Sequence, residues 1–392
     1  MTRGSAALTL SRPQTLLVAA LALALLALSS WGLYTFLTSR SEIAVWDMHT
    51  GWLGLRAMLR DGIDPYSDQI ALASEDQIPF SYPLYIVVLL GPLALLPLPA
   101  AQAIWLSLLI LSLFVFIIFA PSAVGWHPRP WLLALTAFFV LGLYHNVWAL
   151  ILGQVSIVAA TFIALAWWGV RTERWALAGA CLALATLKPQ MCLLVVPGML
   201  AWAIYRNRWR LVAAFFLWLG VLLLLPCLWL PTWPLSWLAA VGRHVDSIEF
   251  HPPLVALTGL TWLAYAIAGL LLAWAVWYWW RTPQRDKAPL HWAFSMLVVV
   301  NVLIIPHNSY VNQLVLLLPL FYLFARLPGD WYAAAVEIGL LAGLWLMAAL
   351  LSPAASSPAY TEWQHRLIGP ILPVGLALAL IYFRPRQARG GA

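Results

Sequence analysis

Two ionisable residues stand where an apolar sequence has least reason to keep them. Asp47 follows the first apolar run in Trp46-Asp47-Met48-His49, and Lys188 lies in Leu187-Lys188-Pro189-Gln190 between two others. An ammonium at the centre of a membrane helix costs about 2.5–3.5 kcal/mol on insertion scales. Lys188 therefore either snorkels to the interface or faces an anion supplied by something else, since no acid lies near it in the sequence. A lone aspartate is able to act as general base toward a hydroxyl. A fixed cation, helped by helix N-termini, stabilises a phosphate leaving group without a general acid. One carboxylate and one cation together suit group transfer from a donor whose leaving group is already a good anion.

Further polar residues cluster at three places. The loop 38–81 carries His49, Gly62, Asp64-Pro65-Tyr66 and, at its end, Tyr82-Pro83. His145-Asn146, with Gln154 eight residues on, flank a break in an apolar stretch, and Pro306-His307-Asn308-Ser309-Tyr310 with Asn312 and Gln313 form another. Each has a plain alternative: a solvated loop, a glutamine joining helices, or turn residues. As a set they outline a polar cavity, since broken helices at membrane depth are tolerated where they line one. The loop 231–253, with Arg243, His244, Asp246, Glu249 and His251, is placed to face an acceptor. Metal-ligand spacings, Gly-rich nucleotide loops, a GxSxG elbow and a DxD pair are all absent, so neither metal nor cofactor is expected.

The elements that must position these residues follow from composition. Of 392 residues, 64% are hydrophobic and 9% charged, against about 25% charged in a soluble domain. That excludes a cytosolic enzyme, a nucleic-acid binder and a secreted disulfide scaffold; Cys181, Cys192 and Cys227 all lie in apolar stretches. Apolar runs long enough to be weighed as spans occur at 15–37, 82–97, 100–119, 131–150, 153–170, 175–187, 189–205, 211–230, 254–280, 290–305, 311–326, 332–351 and 366–383. The first run lacks a cleavage site and reads as an anchor. The expectation is an all-α polytopic membrane protein of about 12 crossings, one membrane-embedded domain over 1–392.

Orientation follows from charge. Most of the 21 basic residues fall in the termini and in short loops such as Arg171–Arg174 and Arg206–Arg210, which places those in the cytoplasm. Most of the 14 acids fall in 38–81, 231–253 and 352–365, the extracytoplasmic side. Residues 50–60 form an amphipathic helix in the first outer loop, and Lys188 tips a hairpin of two short helices on the same side. With 38–81 outside and Arg171 inside, 82–170 must cross an odd number of times, yet it holds four apolar segments. The segment 131–150, ending in Tyr144-His145-Asn146, is the expected half-helix.

The order Asp47, Gly62-x-Asp64-Pro65-Tyr66, Tyr82-Pro83, Gly153-Gln154, Gly179…Leu187-Lys188-Pro189 and Pro306-His307-Asn308 resembles glycosyltransferase family 87. This family of GT-C fold includes actinobacterial mannosyltransferases that use polyprenyl-phosphate mannose. The resemblance covers most of residues 30–325. It implies a plasma-membrane enzyme that moves a hexose, most readily mannose, from a polyprenyl phosphate to a glycolipid or glycan acceptor on the outer face. By position it implies inverting displacement with Asp47 as base and no metal. Lys188 would hold the donor phosphate with Gln154 and His307. The cavity would be lined by His49, Asp64, Tyr66, Tyr82, His145, Asn146 and Asn308, with Arg243, His244 and His251 toward the acceptor. His307-Asn308-Ser309-Tyr310 departs from the more aromatic, double-histidine version expected there.

Two other classes compete with that reading. A lipid or glycolipid transporter also carries polar breaks at membrane depth, but often with inverted repeats, which this sequence does not display. A non-catalytic assembly subunit would tolerate a neutral residue at Asp47.

Overall fold

The structure, a computed structural model, describes residues 27, 28, 30–35, 38, 46–73, 80–247, 252–281, 288–304, 310–351 and 367–385. Among these every regular element is helical. Proline opens several of them: α5 (Pro130–Gly142), α9 (Pro189–Cys192) and α13 (Pro253–Thr258) start on it, and α4 (Leu98–Val124) has it in the first turn. At those positions the ring lacks only an N–H that the helix would leave unpaired anyway.

Two parallel helices settle the parity of the first half. α4 and α7 (Ser156–Arg171) lie side by side in the same direction. Trp105 Nε1 donates to the Gly153 carbonyl at 2.7 Å and Thr161 Oγ1 to the Ser112 carbonyl at 3.1 Å. Further along, Phe119 packs edge-on against Trp168, and the Arg171 guanidinium donates to the Ser122 carbonyl. The chain joining two parallel helices has to run back, so α5 and α6 (Tyr144–Ile151) together make one return crossing, bent by 51°. α5 follows α17 (Asp330–Leu351) along this path, through Arg129–Asp330 at 3.4 Å and Trp345 Nε1 to the Gly142 carbonyl at 2.8 Å.

The segment that fails to cross is therefore 82–97 and not 131–150. It holds a 3-10 turn, Leu84–Ile86, and the eight-residue α3 (Val87–Ala94). Eight residues rise about 12 Å, well short of a hydrocarbon core of about 30 Å. Instead α3 packs along α1 (Trp46–Asp61), the amphipathic helix of the first loop. Trp52 Nε1, Arg56 and Arg60 of α1 donate to the carbonyls of Ala94, Leu95 and Leu96 at 2.9–3.3 Å. Those carbonyls would be orphaned at the end of α3, and cations are favoured at that negative end.

Four described helices are long and apolar enough to span: α4, α11 (Trp209–Leu224) with the turn after it, α14 (Thr261–Arg281) and α17; the bent α5–α6 pair makes a fifth. Seven shorter apolar helices lie among them. The central helix is α7, buried on nearly every side, whereas α14 and α17 expose large apolar side chains such as Trp262, Leu270, Trp331 and Leu346 to lipid. A helix apolar all round belongs inside a bundle or in a membrane. α8 (Trp175–Ala185) and α10 (Val195–Tyr205) form a hairpin, with Trp175 and Trp202 in contact at one end. The linker with Lys188 lies at the other. α11 crosses α8 so tightly that a Cβ on Gly179 would come within 2.2 Å of the Leu211 carbonyl oxygen, so only glycine fits.

Candidate active site

Asp47 stands in the first turn of α1, where the positive helix end favours a carboxylate. Its backbone N–H donates to the Leu152 carbonyl at 3.2 Å. That bond ties the first loop to the turn between α6 and α7, where Gly153 adopts φ +68°, a conformation glycine takes without steric cost. Gln154 follows, its N–H on the Ala149 carbonyl at 2.8 Å and its side chain buried. Sequence position alone leaves Asp47 and Gln154 unrelated; the turn puts them side by side.

Lys188 reaches the same place from the α8–α10 hairpin. It occupies the linker outside those helices, as N-cap of the four-residue α9, and is only 5% exposed. Its ammonium donates to Gln154 Oε1. Burial pulls the amine down to about 8, and the Asp47 carboxylate works against that shift. Tyr82 closes the group: burial raises its phenol well above the usual value, and Asp47 raises it further. A carboxylate, an ammonium, an amide and a phenol are thus brought together at the end of the bundle opposite Arg171. A base and a cation in one group can act on two ends of one ligand, which is what proton removal coupled to departure of an anion requires.

Two of the residues expected to line the cavity instead build its frame. Asp64 accepts from the Tyr66 N–H at 2.8 Å through Oδ1 and from Ser236 Oγ at 3.1 Å through Oδ2. The Tyr66 hydroxyl donates to the Tyr82 carbonyl at 2.8 Å, and its ring packs on Phe80. Arg243, expected to face an acceptor, donates to the Tyr66 carbonyl at 2.8 Å and lies 3.8 Å from Asp68. With Trp237 Nε1 on the Ser81 carbonyl, it locks α12 (Trp233–Ser247) onto the first loop. His49 is half-buried beside Trp52.

His145 and Asn146 are not brought to Asp47. They occupy the first turn of α6, about 10 Å of helix rise from Leu152. There they are fully buried, His145 against Tyr144 and Tyr310, with Asn146 Nδ2 on the Val140 carbonyl at 2.7 Å. The residues His251, His307 and Asn308, and the His244 side chain, lie outside the described residues.

Reasoning from the sequence missed the groups that hold the turns. Trp105 fixes the Gly153 carbonyl, and the Tyr85 hydroxyl donates to the Thr186 carbonyl at 2.8 Å, two residues before Lys188. Neither has a sequence signal, because aromatic side chains in apolar runs read as packing until their one polar atom is placed.

Among the described residues no group of three His, Cys, Asp or Glu side chains is placed to hold a metal. Residues 80–306 match the model of glycosyltransferase family 87. That span contains Tyr82, Gln154 and Lys188; Asp47 lies before it and His307 one residue beyond it. No curated protein and no solved structure matches the chain.

Proposed function

Because the chain belongs to glycosyltransferase family 87 and is a membrane glycosyltransferase, we propose that it takes its sugar, a hexose and most readily mannose, from a polyprenyl phosphate. The acceptor is a glycolipid or a cell-envelope glycan. The observation that carries this reading is the convergence of Asp47, Tyr82, Gln154 and Lys188 from four separate chain segments. In the proposed step an acceptor hydroxyl oxygen attacks the anomeric carbon and its proton passes to the Asp47 carboxylate. The bond between that carbon and the phosphate oxygen breaks, the configuration inverts, and polyprenyl phosphate leaves with its electron pair.

Lys188, steered by Gln154, holds the phosphate and stabilises the charge that develops on the leaving oxygen. The lipid-phosphate donor accords with the absence, in sequence, of any loop large enough for a nucleotide-binding domain. The reaction takes place on the plasma-membrane face opposite the arginine loops, the extracytoplasmic one by the positive-inside rule. His307 joins the donor side in this reading, Asn308 lines the substrate cavity, and His244 and His251 belong to the acceptor side. The test is transfer of radiolabelled mannose or glucose by the purified protein from either polyprenyl phosphosugar or nucleotide sugar. Transfer from the nucleotide sugar alone would sink the donor assignment.

A further inference from the structure

Asn301 lies in the apolar α15 (Ala288–Ile304) and is completely buried. Both ends of its amide are spent on one short element. Oδ1 accepts the Leu194 N–H at 2.8 Å, and Nδ2 donates to the Gln190 carbonyl at 3.0 Å. These two backbone groups belong to α9 and the residues directly after it, the helix whose N-cap is Lys188. A four-residue helix cannot satisfy its own termini, and a backbone group buried without a partner destabilises the fold. Asparagine offers a donor and an acceptor on one short, planar group; leucine and aspartate of the same shape lack one or both.

The other flank of Lys188 is held independently. Tyr85 takes the Thr186 carbonyl, and Cys192 Sγ contacts the carbonyls of Ala185, Lys188 and Pro189 at 3.5–3.8 Å. The backbone is thus pinned before Lys188 by Tyr85 and after it by Asn301, so the side chain emerges from a fixed point. Through these two bonds Asn301 links α15, in the second half of the bundle, to the segment that sets that point.

We propose that Asn301 is a positioning residue: it sets where the Lys188 ammonium meets the donor phosphate, and does not itself touch the donor. This rests on the phosphate-holding role proposed above for Lys188. A residue that only joins α10 to α15 would act on stability alone. A positioning residue acts through Lys188 and loses its effect once Lys188 is gone.

A double-mutant cycle on the full-length protein in detergent separates the two, with undecaprenyl phosphate as probe and tryptophan fluorescence as readout. Asn301→Leu is expected to weaken binding about tenfold, and Lys188→Ala at least as much. Adding Asn301→Leu to Lys188→Ala is expected to cost nothing further. A tenfold loss that recurs in the Lys188→Ala background, or no loss in the wild-type background, overturns the positioning role. Unchanged binding in Lys188→Ala overturns the phosphate role itself, a result distinct from a harmless Asn301→Leu. Should Asn301→Leu not fold, Asn301→Asp keeps the acceptor, loses the donor and carries the same cycle. A loss of about threefold, confined to the Lys188 background, is then expected, and full affinity refutes the proposal.

Discussion

Lys188 and Glu337 are both ionisable residues buried among apolar helices, and they are held in opposite ways. Lys188 stands in a break, with its backbone pinned on both sides, an amide oxygen accepting a hydrogen bond from its ammonium and a carboxylate nearby. Glu337 stands inside the unbroken α17, with Oε1 2.7 Å from Thr136 Oγ1 of α5 and Oε2 without a partner among the described residues. A break at membrane depth frees backbone groups that must be satisfied again by neighbours, and the satisfying groups then fix where the side chain points. An unbroken helix asks for nothing, so a polar residue in it needs only one partner across the interface. What separates Lys188 from Glu337 is the rebuilt backbone around it, and the role proposed for Lys188 rests on that difference.

The largest effect is expected at the carboxylate beside that break. Asp47→Asn keeps the shape and the Leu152 bond but removes the base, so single-turnover sugar transfer should fall about 10³-fold. Donor binding should stay within a few-fold of wild type. Transfer above a tenth of the wild-type rate would mean that another group takes the proton.

Next in size is the cation. Lys188→Ala should raise the donor KM about 10- to 100-fold, the range for a charged hydrogen bond lost to a buried anion. The pH dependence sharpens the assignment. Burial places the Lys188 amine at about 8 in the free protein, below its ordinary value. The ammonium is thus present below that pH and lost above it. Donor kcat/KM, which reports free-enzyme groups, should decline as pH rises through about 8. Lys188→Arg, which stays charged, should remove that limb, and a limb that persists belongs to another residue.

A smaller loss is expected from Gln154→Leu, which strips the ammonium of its neutral acceptor while leaving its charge. A change of about fivefold in donor KM with little change in kcat fits the worth of one such bond. The gradient from Asp47 through Lys188 to Gln154 explains what was legible in the sequence. Charged residues announce themselves against an apolar background, and Gly153-Gln154 and Lys188-Pro189 marked their own breaks. All three led to one place in the fold. The partners that aim them did not show, because Tyr85, Trp105 and Asn301 each act on backbone groups far away in the chain.

The same limit explains the misplaced half-helix. His145 and Asn146 looked like a re-entrant tip because polarity is read locally, whereas direction is set by α4 and α7 lying parallel, a relation between distant segments. Likewise Asp64, Tyr66 and Arg243 carry the right chemistry for a cavity but spend it on one another. Residue type limits what a side chain can do, and only its neighbours determine whether that capacity is left over for a ligand.

The smallest effect is expected at Glu337, and it is the one that tests the contrast with Lys188. Thr136 Oγ1 lies 2.8 Å from the Leu132 carbonyl as well as 2.7 Å from Glu337 Oε1. One hydroxyl hydrogen cannot fully serve both acceptors. Glutamine offers an N–H as well as a carbonyl at nearly the same positions, so Glu337→Gln should keep the α5–α17 contact. Transfer should remain within about twofold of wild type and stability within about 1 kcal/mol. Glu337→Leu removes both partners' complementarity on one side and leaves Thr136 its internal bond to Leu132. It should lower the unfolding temperature modestly and leave donor KM alone. A loss of turnover in Glu337→Gln comparable to that in Lys188→Ala would break the comparison. It would show that an unbroken helix can aim a functional charge as well as a rebuilt turn does.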